Sequence, residues 1–239
     1  MTNSMSNTSP QTYSRFAGIL YLVIIVFGIW SEGFIRSVLI VPGDATATAT
    51  NILASDGWFI LSFAADTIMV LCDVALAILL YVLLKPTSKT LAVMAASFRL
   101  IQAAVLSVNL LNQWAAIALI YCVELPMGFS AEQVQSLALF FLDLHSHGYD
   151  LGLMFFGISC ILVGTLIFRS GYFPKALGLL IMAAGPAYLI GSYTRFLFPD
   201  YMDAVSIIYI VPLVSEVALC LWLLFKGVNL EKWNEKVGR

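Results

Sequence analysis

Several acidic side chains stand inside stretches of this sequence that are otherwise apolar enough to cross a lipid bilayer. Asp66 and Asp73 lie seven residues apart in the apolar stretch 58–84, which places both on one face of an α-helix. A carboxylate at membrane depth is energetically costly and usually faces a partner or a cavity. The chemistry open to these two groups is ligand binding, proton transfer or pairing with a buried base.

Other apolar stretches carry charged side chains at a matching depth. A rise of ~1.5 Å per residue and a hydrocarbon core of ~30 Å place Asp73, Arg99 and Glu216 at ~22, ~18 and ~20 Å from the outer edge. We therefore predict that these three side chains form one charged cluster at the midplane. At about 100° per residue, one face of the third apolar stretch also gathers Arg99, Gln102, Asn109 and Gln113, but not Asn112.

A second polar group lies in the stretch 130–168. Asp143, His147 and Asp150 fall within about 60° of one another on a helix, whereas His145 points the other way. Most of the polar groups lie in the outer half of their stretches, which predicts a pocket open to the outside with a charged floor. The predicted ligand-binding residues are Asp66, Asp73, Arg99, Gln102, Asn109, Gln113, Asp143, His147, Asp150, Arg195 and Glu216.

Simpler interpretations of the same residues stay open. Buried polar groups can merely hold helices together, at ~0.6 kcal/mol for each interhelical hydrogen bond. Glu32 and Arg36 are spaced for a plain ion pair at the membrane surface. Three ligands on one helix face seldom hold a metal ion unaided, and His145 and His147 face apart, so we predict neither a metal nor a haem. Because no nucleophile or phosphate-binding motif is present, the sequence leaves open whether the protein is an enzyme.

The composition is that of an integral membrane protein. The 239 residues are 61% hydrophobic and only 11% charged, against about 25% charged in soluble domains. The net charge of −2 gives no indication of a nucleic-acid partner. No cofactor is predicted, and the lipid bilayer is the expected partner. Of the four cysteines, only Cys122 falls near a loop, so a disulfide framework is not expected.

The order of apolar stretches predicts an all-α bundle of six transmembrane helices. The predicted spans are 16–41, 58–84, 91–121, 130–168, 175–198 and 203–225. A capping box at Ser130 and Gln133 marks the start of the fourth span, and Gly148 is its predicted bend. The segment 45–56 is a loop or a short surface helix. The predicted organisation is a disordered tail over 1–14, a membrane domain over 15–226 and a cytoplasmic tail over 227–239.

The distribution of basic residues predicts the orientation in the cell membrane. Nine of the twelve Lys and Arg residues fall on the side of the two termini. Since basic residues are enriched on the cytoplasmic side, both termini are predicted to be cytoplasmic, in a multi-pass plasma-membrane protein.

Six runs of residues between residues 15 and 180 resemble a known family, and the similarity covers about residues 15–224. They are R-F-A-G-I-L-Y-L, V-P-G-D-A-T-A-T-A-T-N-I, L-L-Y-V-L-L-K-P, F-R-L-I-Q-A-A, M-F-F-G-I-S-C and Y-F-P-K-A-L-G-L-L. In this order they resemble a bacterial membrane family known as domain of unknown function 4386. The resemblance implies a prokaryotic multi-pass membrane protein, and it transfers no activity and no catalytic residue.

Three hypotheses of function follow from the residues. The first is binding or transport of a small molecule through the outward pocket. The second is an enzyme embedded in the membrane, in which a carboxylic acid in an apolar pocket donates a proton to a lipid or isoprenoid substrate. The third is a structural or accessory protein. Because the chain is short for a monomeric transporter, a homo-oligomer is also open.

Overall fold

The computed structural model describes residues 9–121 and 128–238, and this part of the chain is helical without strands. The predictions for residues 1–8, Cys122 and Arg239 concern residues outside these ranges. Within these ranges, six helices are long and apolar enough to cross a membrane, which confirms the predicted all-α bundle. These spans, numbered first to sixth in chain order, are Pro10–Leu39, Trp58–Leu84, Lys89–Ile120, Ala131–Ser170, Lys175–Leu197 and Pro199–Phe225.

Local capping signals set where the spans begin and end. The Ser130 hydroxyl accepts a hydrogen bond from the Gln133 amide at 3.3 Å, and the Gln133 side chain accepts one from the Ser130 amide at 2.8 Å. This is the predicted capping box, which satisfies two amides that have no partner within the helix. Gly171 ends the fourth span with φ of 80°, a conformation that glycine adopts without steric cost.

The first span begins earlier than predicted. Ser9 caps a helix that starts at Pro10, so residues 10–14 are helical rather than part of a disordered tail. Ser14 is buried, and its hydroxyl donates to the Leu223 carbonyl at 3.2 Å. The start of the first span is thus tied to the end of the sixth. A second short helix, Leu230–Val237, follows the sixth span in the predicted tail.

Two spans contain irregular turns. Trp30–Arg36 in the first span is a π-helix, a form that occurs mostly as short bulges and often at functional sites. The sixth span begins with 3₁₀ turns at Pro199–Tyr201 and Ser206–Tyr209 and becomes regular only over Ile210–Phe225. Pro212 lies in the first turn of that regular part, where its missing amide costs little.

Glycines mark close contacts between helices. A Cβ at Gly148 would lie 2.5 Å from Cγ of Asn109, so this glycine makes room for a side chain within an unbroken helix. A Cβ at Gly164 would lie 2.6 Å from the carbonyl oxygen of Gly178, and one at Gly157 would lie 2.9 Å from that of Gly185. Gly157 and Gly164 are therefore positions where two helix backbones pack closely.

The six spans form a closed ring. Each span packs against the next one in the chain, and the sixth packs against the first. We refer to the end of the ring that carries both chain termini as the terminal end and to the opposite end as the far end. At the terminal end lies the largest apolar cluster, which includes Leu80, Leu83, Leu166, Ile167 and Leu223.

The far end has its own apolar cover. It combines side chains from four spans with Ile52 of the short helix Ala45–Leu53, which occupies the segment predicted as a loop or surface helix. The Tyr121 hydroxyl donates to the Ile52 carbonyl at 3.2 Å and holds this helix in place. Apolar side chains therefore cover the far end over the first four spans.

A tyrosine fastens the turn between the fourth and fifth spans. The Tyr172 hydroxyl donates to the Leu83 carbonyl at 2.8 Å and lies 3.0 Å from the Thr87 hydroxyl. Burial raises the pKa of the Tyr172 phenol to about 12, because the charged form is poorly solvated there. This contact joins the turns that follow the second and fourth spans.

Candidate functional site

The middle of the ring holds a buried ion pair between the second and third spans. Nε of Arg99 donates to Oδ1 of Asp73 at 2.8 Å, and both side chains are almost fully buried. The guanidinium carbon lies 5.4 Å from the ring centre of Tyr21 and 4.8 Å from that of Phe156. These aromatic faces favour the cation and fix its position.

Glu216 lies near this pair but is held by a different residue. Its buried carboxylate accepts a hydrogen bond from the Tyr188 hydroxyl. The Tyr188 ring lies 5.2 Å from that of Phe156, which also touches Arg99. Within residues 9–121 and 128–238, Glu216 makes no ion pair. The three predicted midplane charges are therefore an ion pair and a separate carboxylate, joined through one aromatic ring.

A second charged cluster lies closer to the far end. Arg36 pairs with Asp66 of the second span, and its Nε also donates to Oε2 of Glu32 at 2.7 Å. Asp66 is 2% exposed, whereas the Glu32 side chain is 69% exposed. The predicted Glu32–Arg36 pair is confirmed, but the sequence did not indicate that Arg36 also reaches Asp66. The π-helical turns of Trp30–Arg36 place Arg36 on the interior side.

Amide side chains of the third span bind groups on the second and fourth spans. Nδ2 of Asn109 donates to the main-chain carbonyl of His145 at 2.7 Å. Nε2 of Gln113 donates to the Ser62 hydroxyl at 3.1 Å. Gln102, one turn from Arg99, is buried too. The predicted polar face of the third span thus faces the interior of the ring.

The three side chains predicted to form one polar group on the fourth span lie in two different environments. Asp150 is buried and pairs with Nε of Arg195 at 3.1 Å, and Arg195 also donates to the Ser146 hydroxyl at 2.6 Å. Asp143, in contrast, is exposed, and the His147 ring packs on Phe196 with ring centres 5.7 Å apart. Asp150 and Arg195 therefore belong to the interior, whereas Asp143 and His147 lie at its margin.

His145 and Tyr188 are interior residues that the sequence analysis did not select. His145 is 5% exposed and faces Asn109, because the interior of the ring lies on its side of the fourth span. The hydroxyl of the half-buried Tyr188 on the fifth span meets the Glu216 carboxylate on the sixth, a contact between two spans that the sequence pattern does not indicate.

Cavities beside the charged clusters are small. The cavity lined by Asp66, Asn109, His145 and Tyr149 has a volume of about 10 Å³, room for one water molecule. A larger, mostly apolar groove of about 450 Å³ lies on the outside of the ring, between the second and third spans. Val70 and Leu110 line both, so they separate the groove from the cavity. Among the described residues, no group of three His, Cys, Asp or Glu side chains is placed to hold a metal ion.

These features define a multi-pass helical membrane protein whose interior carries ion pairs and a lone carboxylate. The chain belongs to the family described as Domain of unknown function (DUF4386), whose model matches residues 16–227. It is 30% identical over 173 residues to an uncharacterized protein of the archaeon Archaeoglobus fulgidus, covering 72% of this chain and 88% of that protein. No solved structure matches it.

Proposed function

We propose that this protein binds a small cationic molecule inside the ring of six helices, with Glu216 as its counter-charge, and that binding is the first step of transport across the cell membrane. The observation that supports this proposal is the count of interior charges. The paired interior carboxylates and their arginines are Asp66 with Arg36, Asp73 with Arg99, and Asp150 with Arg195. Glu216 is the additional carboxylate.

A lone carboxylate in a low-dielectric interior takes up a proton or a cation. In the proposal, Glu216 holds a proton when no ligand is bound and shares a hydrogen bond with Tyr188. Binding of a cation releases this proton, so that the net charge of the interior stays constant. The three ion pairs balance charge around the site.

In this proposal, a cation reaches Glu216 by passing the irregular start of the sixth span. Tyr209, at the end of the 3₁₀ turn Ser206–Tyr209, packs on Tyr188 with ring centres 6.1 Å apart. Displacement of this turn would open the site toward the far end. With both termini in the cytoplasm, as the basic residues favour, the far end faces outside.

Binding can be tested on the purified protein in weakly buffered detergent solution. The probes are sodium, methylammonium, ethylenediammonium and tetramethylammonium chlorides, followed by thermal stability and by proton release with an indicator dye. At least one probe is expected to raise the melting temperature and release one proton per bound cation. Glu216→Gln should abolish both responses, whereas Asp143→Asn, the same change on an exposed carboxylate, should keep both. No response in the wild type, or an unchanged response in Glu216→Gln, would reject the proposal and favour a structural role.

A second candidate function is an enzyme acting on a lipid or isoprenoid substrate. The groove of about 450 Å³ favours it, because Val70 and Leu110 line both this lipid-facing groove and the cavity at Asp66. Asp66 would then exchange a proton with a substrate whose chain lies in the groove. Incubation with native membrane lipids, followed by mass spectrometry, should reveal products with the wild type but not with Asp66→Asn. Identical lipid profiles would exclude this activity on those lipids.

A further inference from the structure

A small cavity lies between the second, third and fourth spans, apart from Glu216. Its polar lining comes from Asp66, Asn109, His145 and Tyr149, and its volume of about 10 Å³ matches one water molecule. Oδ1 of Asp66 and Nε2 of His145 are both buried, and neither has a hydrogen-bond partner within residues 9–121 and 128–238. Buried polar atoms are rarely left without a partner, so two of them at one cavity indicate a ligand.

Oδ1 of Asp66 and Nε2 of His145 are both hydrogen-bond acceptors. The other oxygen of Asp66 pairs with Arg36, so the carboxylate is ionised and can only accept. Nδ1 of His145 lies 3.2 Å from the main-chain carbonyl oxygen of Asn109, which also can only accept. The side-chain NH2 of Asn109 donates to the His145 carbonyl at 2.7 Å, and its nitrogen lies 3.3 Å from Nδ1 of His145. The shorter contact of Nδ1 is with the Asn109 carbonyl oxygen, so we assign the hydrogen to Nδ1, and Nε2 of the neutral ring accepts.

We propose that this cavity binds one water-sized hydrogen-bond donor, water or ammonium, which donates to Oδ1 of Asp66 and to Nε2 of His145. The bound molecule links the second span to the fourth, across the third. The charged groups around it are Arg36 and Glu32 of the first span in addition to Asp66 itself. The site is separate from Glu216 and stands whether or not a cation binds there.

The histidine content makes a direct test possible. The chain contains two histidines, so protein labelled with ¹⁵N-histidine in lipid nanodiscs gives two imidazole rings, which His147→Gln assigns. In the nuclear magnetic resonance spectrum, His145 is expected to carry its hydrogen on Nδ1, with Nε2 accepting a hydrogen bond. Paired samples in sodium chloride and in ¹⁵N-ammonium chloride distinguish the ligands. A contact from Nε2 to water protons in both samples identifies water, and a contact to ammonium protons in the second identifies ammonium.

Matched substitutions on the second span locate the donor. Val70→Ile adds a methyl group to the wall of the cavity and should abolish the contact at Nε2 while Asn109 keeps the ring in the same tautomer. Val74→Ile makes the same change on the lipid-facing side, where Val74 is 41% exposed, and should leave the contact intact. Hydrogen on Nε2, an Nε2 without any donor in both salts, or a contact that survives Val70→Ile would overturn the proposal.

Discussion

Neutralising Asp73 should destabilise the protein far more than neutralising a carboxylate on its surface. Asp73→Asn leaves the Arg99 guanidinium buried without its ion-pair partner, and arginine cannot lose its charge inside a protein. Arg99→Met leaves Asp73 alone, but this carboxylate can take up a proton. The two changes together remove both charges and leave neutral side chains of similar size.

The expected magnitudes follow from burial. Asp73 is 4% exposed and Arg99 is 3% exposed, and breaking such a pair by removing one partner costs about 3–5 kcal/mol. Loss of the contacts to the Tyr21 and Phe156 rings adds about 1–2 kcal/mol to Arg99→Met. Replacing both partners is often neutral, so the double variant should lie within about 2 kcal/mol of the wild type.

The assay is reversible unfolding in mixed micelles, followed by the fluorescence of the five tryptophans. A double-mutant cycle over wild type, both single variants and the double variant gives the coupling between the two charges. Asp143→Asn is the control for an exposed carboxylate and should change stability by at most about 0.5 kcal/mol. Single-variant effects that add to within about 0.5 kcal/mol would refute the electrostatic account of this pair.

Further expected results concern packing, pH and surface charge. Gly164→Ala should destabilise by about 1–3 kcal/mol in thermal unfolding, because its Cβ would meet backbone atoms, while Gly33→Ala, whose nearest neighbour would lie 4.0 Å away, should not. The hydrogen bonds of Tyr172 should contribute about 1 kcal/mol relative to Tyr172→Phe. Since folding raises this pKa, the contribution should be present below pH ~10 and lost as the pH rises through about 12. Glu32→Gln should cost less than about 1 kcal/mol because Glu32 is mostly exposed, and a larger loss in the same assay would contradict this account.

Features set by local sequence were predictable. The capping box at Ser130 determines the start of the fourth span through two hydrogen bonds within three residues. The depth of Asp73 and Arg99 depends only on the rise of a helix, so their pairing could be anticipated from residue counts. The close-packing role of Gly164 follows from its lack of a side chain inside an apolar helix.

The sequence did not predict which side of each helix faces the interior of the ring. In a membrane, the lipid-facing side of a helix is as apolar as its interior side: Leu71 is exposed, and Leu76 is fully buried. The sequence therefore placed His145 and His147 correctly relative to each other without showing which one faces inward. The contact of Arg36 with Asp66 depends on a π-helical segment, which changes the rotation per residue and has no signal in the sequence.

The ring has a consequence for how the chain enters the membrane during synthesis. Five interior polar contacts each join two spans that are consecutive in the chain. These contacts are Arg36 with Asp66, Asp73 with Arg99, Asn109 with His145, Asp150 with Arg195, and Tyr188 with Glu216. As the nascent chain emerges from its N-terminal end, each costly side chain meets its counterpart within one helical hairpin. The earlier member of each ion pair therefore waits only for the next span of the chain.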